Sequence, residues 1–213
     1  MSRSRYMSVQ RKSETRKYEL KRRAQQMEEM RGRIAAAAVE LHTTVGPAST
    51  TISAIADRAG VQRHTVYRHF PDDASLFRAC VTHGLATWPL PDPQRWRQVK
   101  DPRRRMRTAL GELYAYFRRT EMAWSNILPD LRKLPELLEA NAPVFAHWER
   151  MTEAILEGWP VHARHRTQVR ALIALALDFA TWQTLARRHE LPDEAITRLF
   201  VDATGCFAAQ CRS

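Results

Sequence analysis

Residues 51–70 read TISAIADRAGVQRHTVYRHF, and this stretch decides the fold. Thr51 precedes a helical pattern and can cap it, its side-chain oxygen accepting from a free backbone N–H. Ile52, Ile55 and Ala56 form the inner face of that short helix, and the small Ala56 suits a close helix crossing. Gly60 follows where a tight inter-helix turn needs positive φ. Val61 and Val66 anchor a second helix and Phe70 closes it, leaving Gln62, Arg63, His64, Tyr67 and Arg68 mainly on the outer side. Donors and an aromatic outside, with branched apolar residues inside, suit insertion into a DNA major groove.

Upstream, Leu20, Met27, Ile34 and Leu41 recur every seven residues, with Ala37 and Ala38 between the last two. This predicts a helix to about residue 43, ended by Val45-Gly46-Pro47. Downstream, Pro89, Pro91, Pro93 and Pro102 separate an N-terminal unit from a larger C-terminal one. Helical patterns follow over Arg103–Thr120, in a shorter segment interrupted at Pro129, over Glu136–Trp159 with a kink at Pro143, and over Arg166–His189 and Asp193–Cys211. No stretch alternates with period two for the length of a strand, so the fold class is all-α.

GRIAAAAVELHTTVGPASTTISAIA and HTVYRHFPDDASLFRACV, on either side of the turn, resemble the TetR family of bacterial transcriptional regulators. The resemblance covers residues 30–85 at motif level and implies a three-helix DNA-binding domain followed by a helical ligand-binding and dimerisation domain. The expected organisation is a basic arm over 1–25, disordered or a helical extension, and the DNA-binding domain over 26–86. A proline-rich linker over 87–102 and the C-terminal domain over 103–213 complete it. By the same resemblance, Thr51 and the N–H groups behind it hold a phosphate. Arg63, His64 and Gln62 face base edges, Arg68 shares their outer side, and Thr65, Tyr67 and His69 contact the DNA backbone. One departure stands out. Many members carry a lysine at the start of the fourth helix, where this chain has Pro71-Asp72-Asp73.

The net charge of +11 is unevenly placed. Residues 1–23 hold nine Lys/Arg against two Glu, residues 24–84 hold six of each sign, and residues 85–213 hold nineteen basic against fifteen acidic. The excess therefore lies in the arm, which attracts polyanions. A binder of nucleic acid or anionic surfaces without sequence preference, driven by that arm, is the alternative to a sequence-specific regulator. The longest apolar run, Ala171–Leu177, falls far short of the ~20 residues that span a bilayer. Cys80, Cys206 and Cys211 have no CxxC spacing, which suits thiols in a reducing cytoplasm. No nucleophile–base, phosphate-loop or metal-ligand pattern appears. The expectation is a cytoplasmic, non-enzymatic protein without cofactor, metal or membrane partner.

In the C-terminal half, helix 166–189 is apolar on more than one face and its connection to helix 193–211 is short, so the two pair antiparallel. The resemblance implies a homodimer through this pair, with Leu175 and Phe200 in its apolar stripe. Tyr114, Phe117, Trp124, Trp148, Met151 and Trp182 are candidates for an apolar or aromatic effector pocket, although for each one packing in the core is the competing role. Asp178, inside the apolar stretch LIALALDFATW, joins that set. Buried, it would need a partner: a structural arginine, a backbone N–H or a cationic ligand. The resemblance favours a ligand-responsive repressor on a palindromic operator.

Overall fold

The computed structural model describes the backbone of residues 3–210 and the side chains of residues 18–209. Among the described residues all regular structure is helical. Helices α1 (Arg3–Thr44), α2 (Ile52–Ala59), α3 (Arg63–His69) and α4 (Asp73–Thr87) form the first unit. The second comprises α5 (Pro93–Arg97), α6 (Pro102–Ile127), α7 (Pro135–Ala140), α8 (Ala142–Leu156), α9 (Arg166–Ala176), α10 (Phe179–Gln183) and α11 (Asp193–Gln210).

The first unit closes around Ile34, Ala35, Ala38, Val39, Ile55, Ala56, Val66, Phe70, Leu76 and Cys80. The alanines let α1 lie close against α2 and α4. The seven-residue repeat is only partly an inner face. Ile34 is fully buried, whereas Leu20 and Met27 are 58% and 56% exposed. From residue 18 to 29 every side chain is in solvent, because α1 runs on past the core it serves. The side chains of the basic arm before residue 18 lie outside the described residues.

Three segments differ from the sequence expectation. Residues 87–102 are no free linker: Asp92 caps α5, Trp96 is fully buried and its indole donates to Glu112 at 2.9 Å. Arg105 then fastens the segment by donating to the carbonyls of Val99, Arg97 and Ala154. The 136–159 stretch is two helices, divided at Asn141 rather than kinked within one. The 166–189 stretch also breaks, at Leu177-Asp178, with a bend of 58° between its halves. Asp178 causes that break. Its carboxylate accepts from the Thr181 N–H at 2.7 Å and starts α10 as an N-cap. The carbonyls left free are taken from afar, Ala176 by the Tyr114 hydroxyl (2.9 Å) and Leu177 by the Trp148 indole (3.0 Å). Asp178 is exposed rather than buried, and a backbone N–H is its partner.

The two units are joined at the end of α1. The Asn126 amide of α6 donates to the carbonyls of Thr43 (2.8 Å) and Thr44 (3.1 Å), which have no acceptor role left inside the helix. Asp130 accepts from the Ala48 N–H at 2.9 Å and pairs with Lys133 at 2.8 Å. Gly46 sits between them at φ +91°, and a Cβ there would lie 3.0 Å from an Asp130 carboxylate oxygen. Only glycine permits both that conformation and that approach. Burial works against the Asp130 charge, but Lys133 and the Ala48 N–H outweigh it and hold the carboxyl below its ordinary range. His42, 5% exposed, packs against Phe77 with ring centroids 5.6 Å apart. Burial pushes its imidazole down to about 4, although Asp130 opposes the shift.

An unfolded His42 takes up a proton near pH 6.5, whereas the folded one stays neutral until about pH 4. Stability is therefore intact above pH 6.5 and falls as pH drops through this window, by about 3 kcal/mol for the full shift. Denaturant melts between pH 7 and 4 should show this loss in the wild type. His42→Phe should remove most of the loss between pH 6.5 and about 5, leaving the smaller slope of His69, whose imidazole burial also lowers, and below about pH 5 that of the carboxylates held below their ordinary range, Asp130 and Asp72 among them. Parallel profiles for the two proteins would contradict the assignment.

Candidate nucleic-acid interface

The turn between α2 and α3 is built as its residue types dictate. Thr51 accepts from the Ala54 N–H at 3.1 Å and caps α2. Gly60 adopts φ 65°, ψ 42°, and the Val61 N–H returns to the Ala56 carbonyl at 2.9 Å, a Schellman closure. Val66 and Phe70 enter the core, so α3 is pinned along one side. Its other side carries Arg63, His64, Tyr67 and Arg68, all exposed, with Gln62 exposed just before it. Thr65 is half-buried at the edge of that face. These positions bring three donor-bearing side chains and a phenol onto one helix surface, together with the imidazole of His64.

His69 does not belong to this face. It is 8% exposed and turned inward, because the step of two from Tyr67 rotates it toward the core. Its carbonyl, not its ring, makes the notable contact, accepting from the Arg31 guanidinium at 2.5 Å. Arg31 also lies 4.2 Å over the Phe70 ring, and Arg33 donates to the Ala59 carbonyl at 2.7 Å. Two arginines of α1 thus hold the C-terminal ends of α3 and α2, where helix dipoles favour cations. Neither stood out in the sequence, since an arginine on an exposed helix face carries no local mark of a distant carbonyl.

At the start of α4, Asp72 accepts from the Ser75 N–H at 2.7 Å, and the Ser75 N–H and hydroxyl hold its carboxyl below the ordinary range. An ionised cap with Asp73 beside it satisfies this helix end internally and repels phosphate.

The aromatic set proposed as a pocket divides. Tyr114, Phe117, Met151 and Trp182 are fully buried and packed as core. The Trp182 indole donates to Asp193 at 3.0 Å, and Phe117 meets Phe179 edge-on at 5.3 Å. Trp124, Trp148 and Asp178 instead border a groove of about 200 Å³, with Phe145 and Glu149. A separate apolar cavity of about 100 Å³ lies at the junction of the two units, between α1, α4 and α6, and Trp124 lines it as well. Its position depends on contacts between distant segments, which the aromatic residues of α6 and α8 do not reveal by their spacing. Among the described residues no three His, Cys, Asp or Glu side chains gather as a metal site would need.

The family model for bacterial regulatory proteins of the tetR family matches residues 34–80. No curated protein matches the chain. Among solved structures the chain is similar to a transcriptional regulator from Rhodococcus sp. Rha1, at 17% identity and a TM-score of 0.59, over 86% of this chain and 98% of that one. It is similar to NalD, the secondary repressor of the MexAB-OprM multidrug efflux pump in Pseudomonas aeruginosa, at 23% identity and 0.57, over 84% and 96%. A third likeness is to RolR in complex with resorcinol, at 18% identity and 0.51, over 89% and 94%. At these identities the likeness is one of fold. The segment that matches the family model contains α2, its glycine turn and α3. Over residues 34–80 the N-terminal unit of this chain is thus similar to the tetR family of bacterial regulatory proteins.

Proposed function

We propose that the chain is a sequence-specific transcriptional repressor that binds a palindromic operator as a homodimer and releases it in response to a small molecule. The carrying observation is the face of α3. Gln62, Arg63, His64, Tyr67 and Arg68 stand exposed on a helix whose opposite side is locked by Val66 and Phe70. In this reading Arg63 and His64 meet base edges with Gln62, while Thr65, Tyr67 and Arg68 take phosphates and sugars. The α2 N-terminus behind Thr51 holds a further phosphate. His69 has no part in it.

Assembly is supported by an apolar stripe that the protomer leaves uncovered. Leu199 and Phe207 of α11 are 51% and 38% exposed, and Leu175 of α9 is 50% exposed. Ala203 and Ala171 extend the same surface. Phe200 points the other way, into the protomer core, so the stripe runs through Leu199. A symmetric pairing of this face makes a two-fold dimer and a two-fold operator. NalD is a repressor and RolR was solved with a bound ligand, which supports repression and a small-molecule response for a chain of this fold.

Selection of bound duplexes from a random pool tests the reading. It should enrich two inverted half-sites whose centres are one helical turn or a multiple apart. Arg63→Ala should then cost about 1–3 kcal/mol and relax preference at one base pair per half-site. A pool that enriches nothing would contradict sequence-specific binding and favour the arm-driven alternative.

The arm enters the same experiment. The helix-turn-helix segment is electrically balanced and α4 begins with two carboxylates, while residues 1–23 carry most of the positive excess. Deleting residues 1–23 should keep the sequence preference and reduce affinity. The plot of log K against log salt should flatten by roughly 0.9 for each phosphate that the arm had neutralised. Equal slopes for full-length and shortened protein would assign the phosphate contacts to the rest of the chain.

A further inference from the structure

The junction cavity has three properties that together define a ligand. The first is the absence of charge: no Asp, Glu, Lys or Arg lines it, and its walls are mainly Phe77, Trp88, Trp124 and neighbouring aliphatic side chains. An ionic guest would lose its hydration there without a counter-charge. The second is a hydrogen-bonding group left over. Thr43, Thr120 and Asn141 each donate to a carbonyl three or four residues back in the chain. His42 is 5% exposed, lines the cavity, and among the described residues no hydrogen bond reaches either of its ring nitrogens. A neutral imidazole offers one donor and one acceptor, and at the wall of the cavity both are open to a guest.

The third property is Gly84. It lies on the stripe of α4 that also carries Phe77, Cys80, Val81 and Trp88, all of which line the cavity. A Cβ added at Gly84 would meet no atom within 4 Å. Glycine inside a helix costs about 1 kcal/mol against alanine, and no close packing or positive φ requires it here. What its missing side chain preserves is space.

We propose that this junction cavity is the effector site, and that its ligand is an uncharged, flat aromatic molecule of one or two rings held by a hydrogen bond to His42. The size suits a ring that is only partly enclosed: an engineered apolar cavity of ~150 Å³ in another protein takes up benzene, and this one is about 100 Å³ but open on one side, so that the rest of a guest can extend beyond it. The site also touches His42, Thr43 and Pro47, which flank the turn that Asn126 and Asp130 hold, so a guest bears directly on the connection to α2. The regulatory use rests on the repressor reading above, whereas binding does not.

Thermal unfolding of the full chain with three probes of one shape tests the site without DNA. The probes are 2-naphthol, naphthalene and naphthalene-2-sulfonate. The two neutral probes should raise the wild-type midpoint and the sulfonate should not. Gly84→Leu, with helical content unchanged, should abolish the response by occupying the space. If that variant fails to fold, Gly84→Met, whose side chain is more pliable, serves the same purpose. His42→Phe should weaken 2-naphthol roughly three- to tenfold, as removal of one hydrogen bond would, and leave naphthalene unchanged. Failure of both neutral probes, an equal response to the sulfonate, or undiminished binding by the folded Gly84 variant would overturn the site. On the selected duplex, 2-naphthol should lower the affinity of the wild type and not that of Gly84→Leu. Binding that leaves duplex affinity unchanged would overturn the effector role. Failure to select any duplex would count against the repressor reading and not against the cavity.

Discussion

The end of α1 must serve two units at once, and two side chains of the second unit make that possible. A helix terminus leaves carbonyls without partners, and Asn126 supplies the missing donor to Thr43 and Thr44. Asp130, ionised though 5% exposed, takes the Ala48 N–H on the far side of the turn. The contact is close because Gly46 has no Cβ to obstruct it. Everything in the helix-turn-helix unit hangs from this clasp at one end and from the α4–α7 packing at the other. Arg31 and Arg33 then fix α2 and α3 to the same helix whose end is clasped. The turn at residues 42–48 and the helices α2 and α3 are thereby tied to one and the same helix.

How much of this was legible follows from how local each feature is. The α2–α3 unit could be read directly, because Thr51, Gly60, Val66 and Phe70 each do in space what their chemistry suggests in sequence. The exposed face of α3 followed from the same register, except at His69, where a seven-residue helix turns its last side chain back to the core. Breaks within apolar runs were hidden. Asp178 caps a helix inside a stretch whose periodicity reads straight through it, and the freed carbonyls are satisfied by Tyr114 and Trp148 from far along the chain. The aromatics of α6 and α8 were visible as a group, but which of them fill a core and which border open space depends on helix crossings that no residue spacing records.

Charge divides labour along the chain in a related way. Residues 24–84, which hold the helix-turn-helix, are balanced, with Asp72 committed to capping α4. In the proposed reading specificity and attraction are thus carried by different segments, the first by the seven-residue helix α3 and the second by the excess at residues 1–23. Base contacts discriminate only when geometry is fixed, whereas attraction to a polyanion tolerates variable placement. The backbone of α1 runs as helix from Arg3, which sets the basic segment in line with the helix that Asn126 clasps.

If the clasp orients each recognition helix relative to the dimer partner, loosening it should cost only the simultaneous grip on two half-sites. Affinity of Asp130→Ala, measured on the full selected operator and on a duplex with one half-site, tests this most directly. Avidity gained by linking two sites disappears when their geometry is no longer held. The account predicts about a tenfold weaker hold on the full operator and an unchanged hold on the half-site. Equal weakening on both duplexes, or none on either, would contradict it.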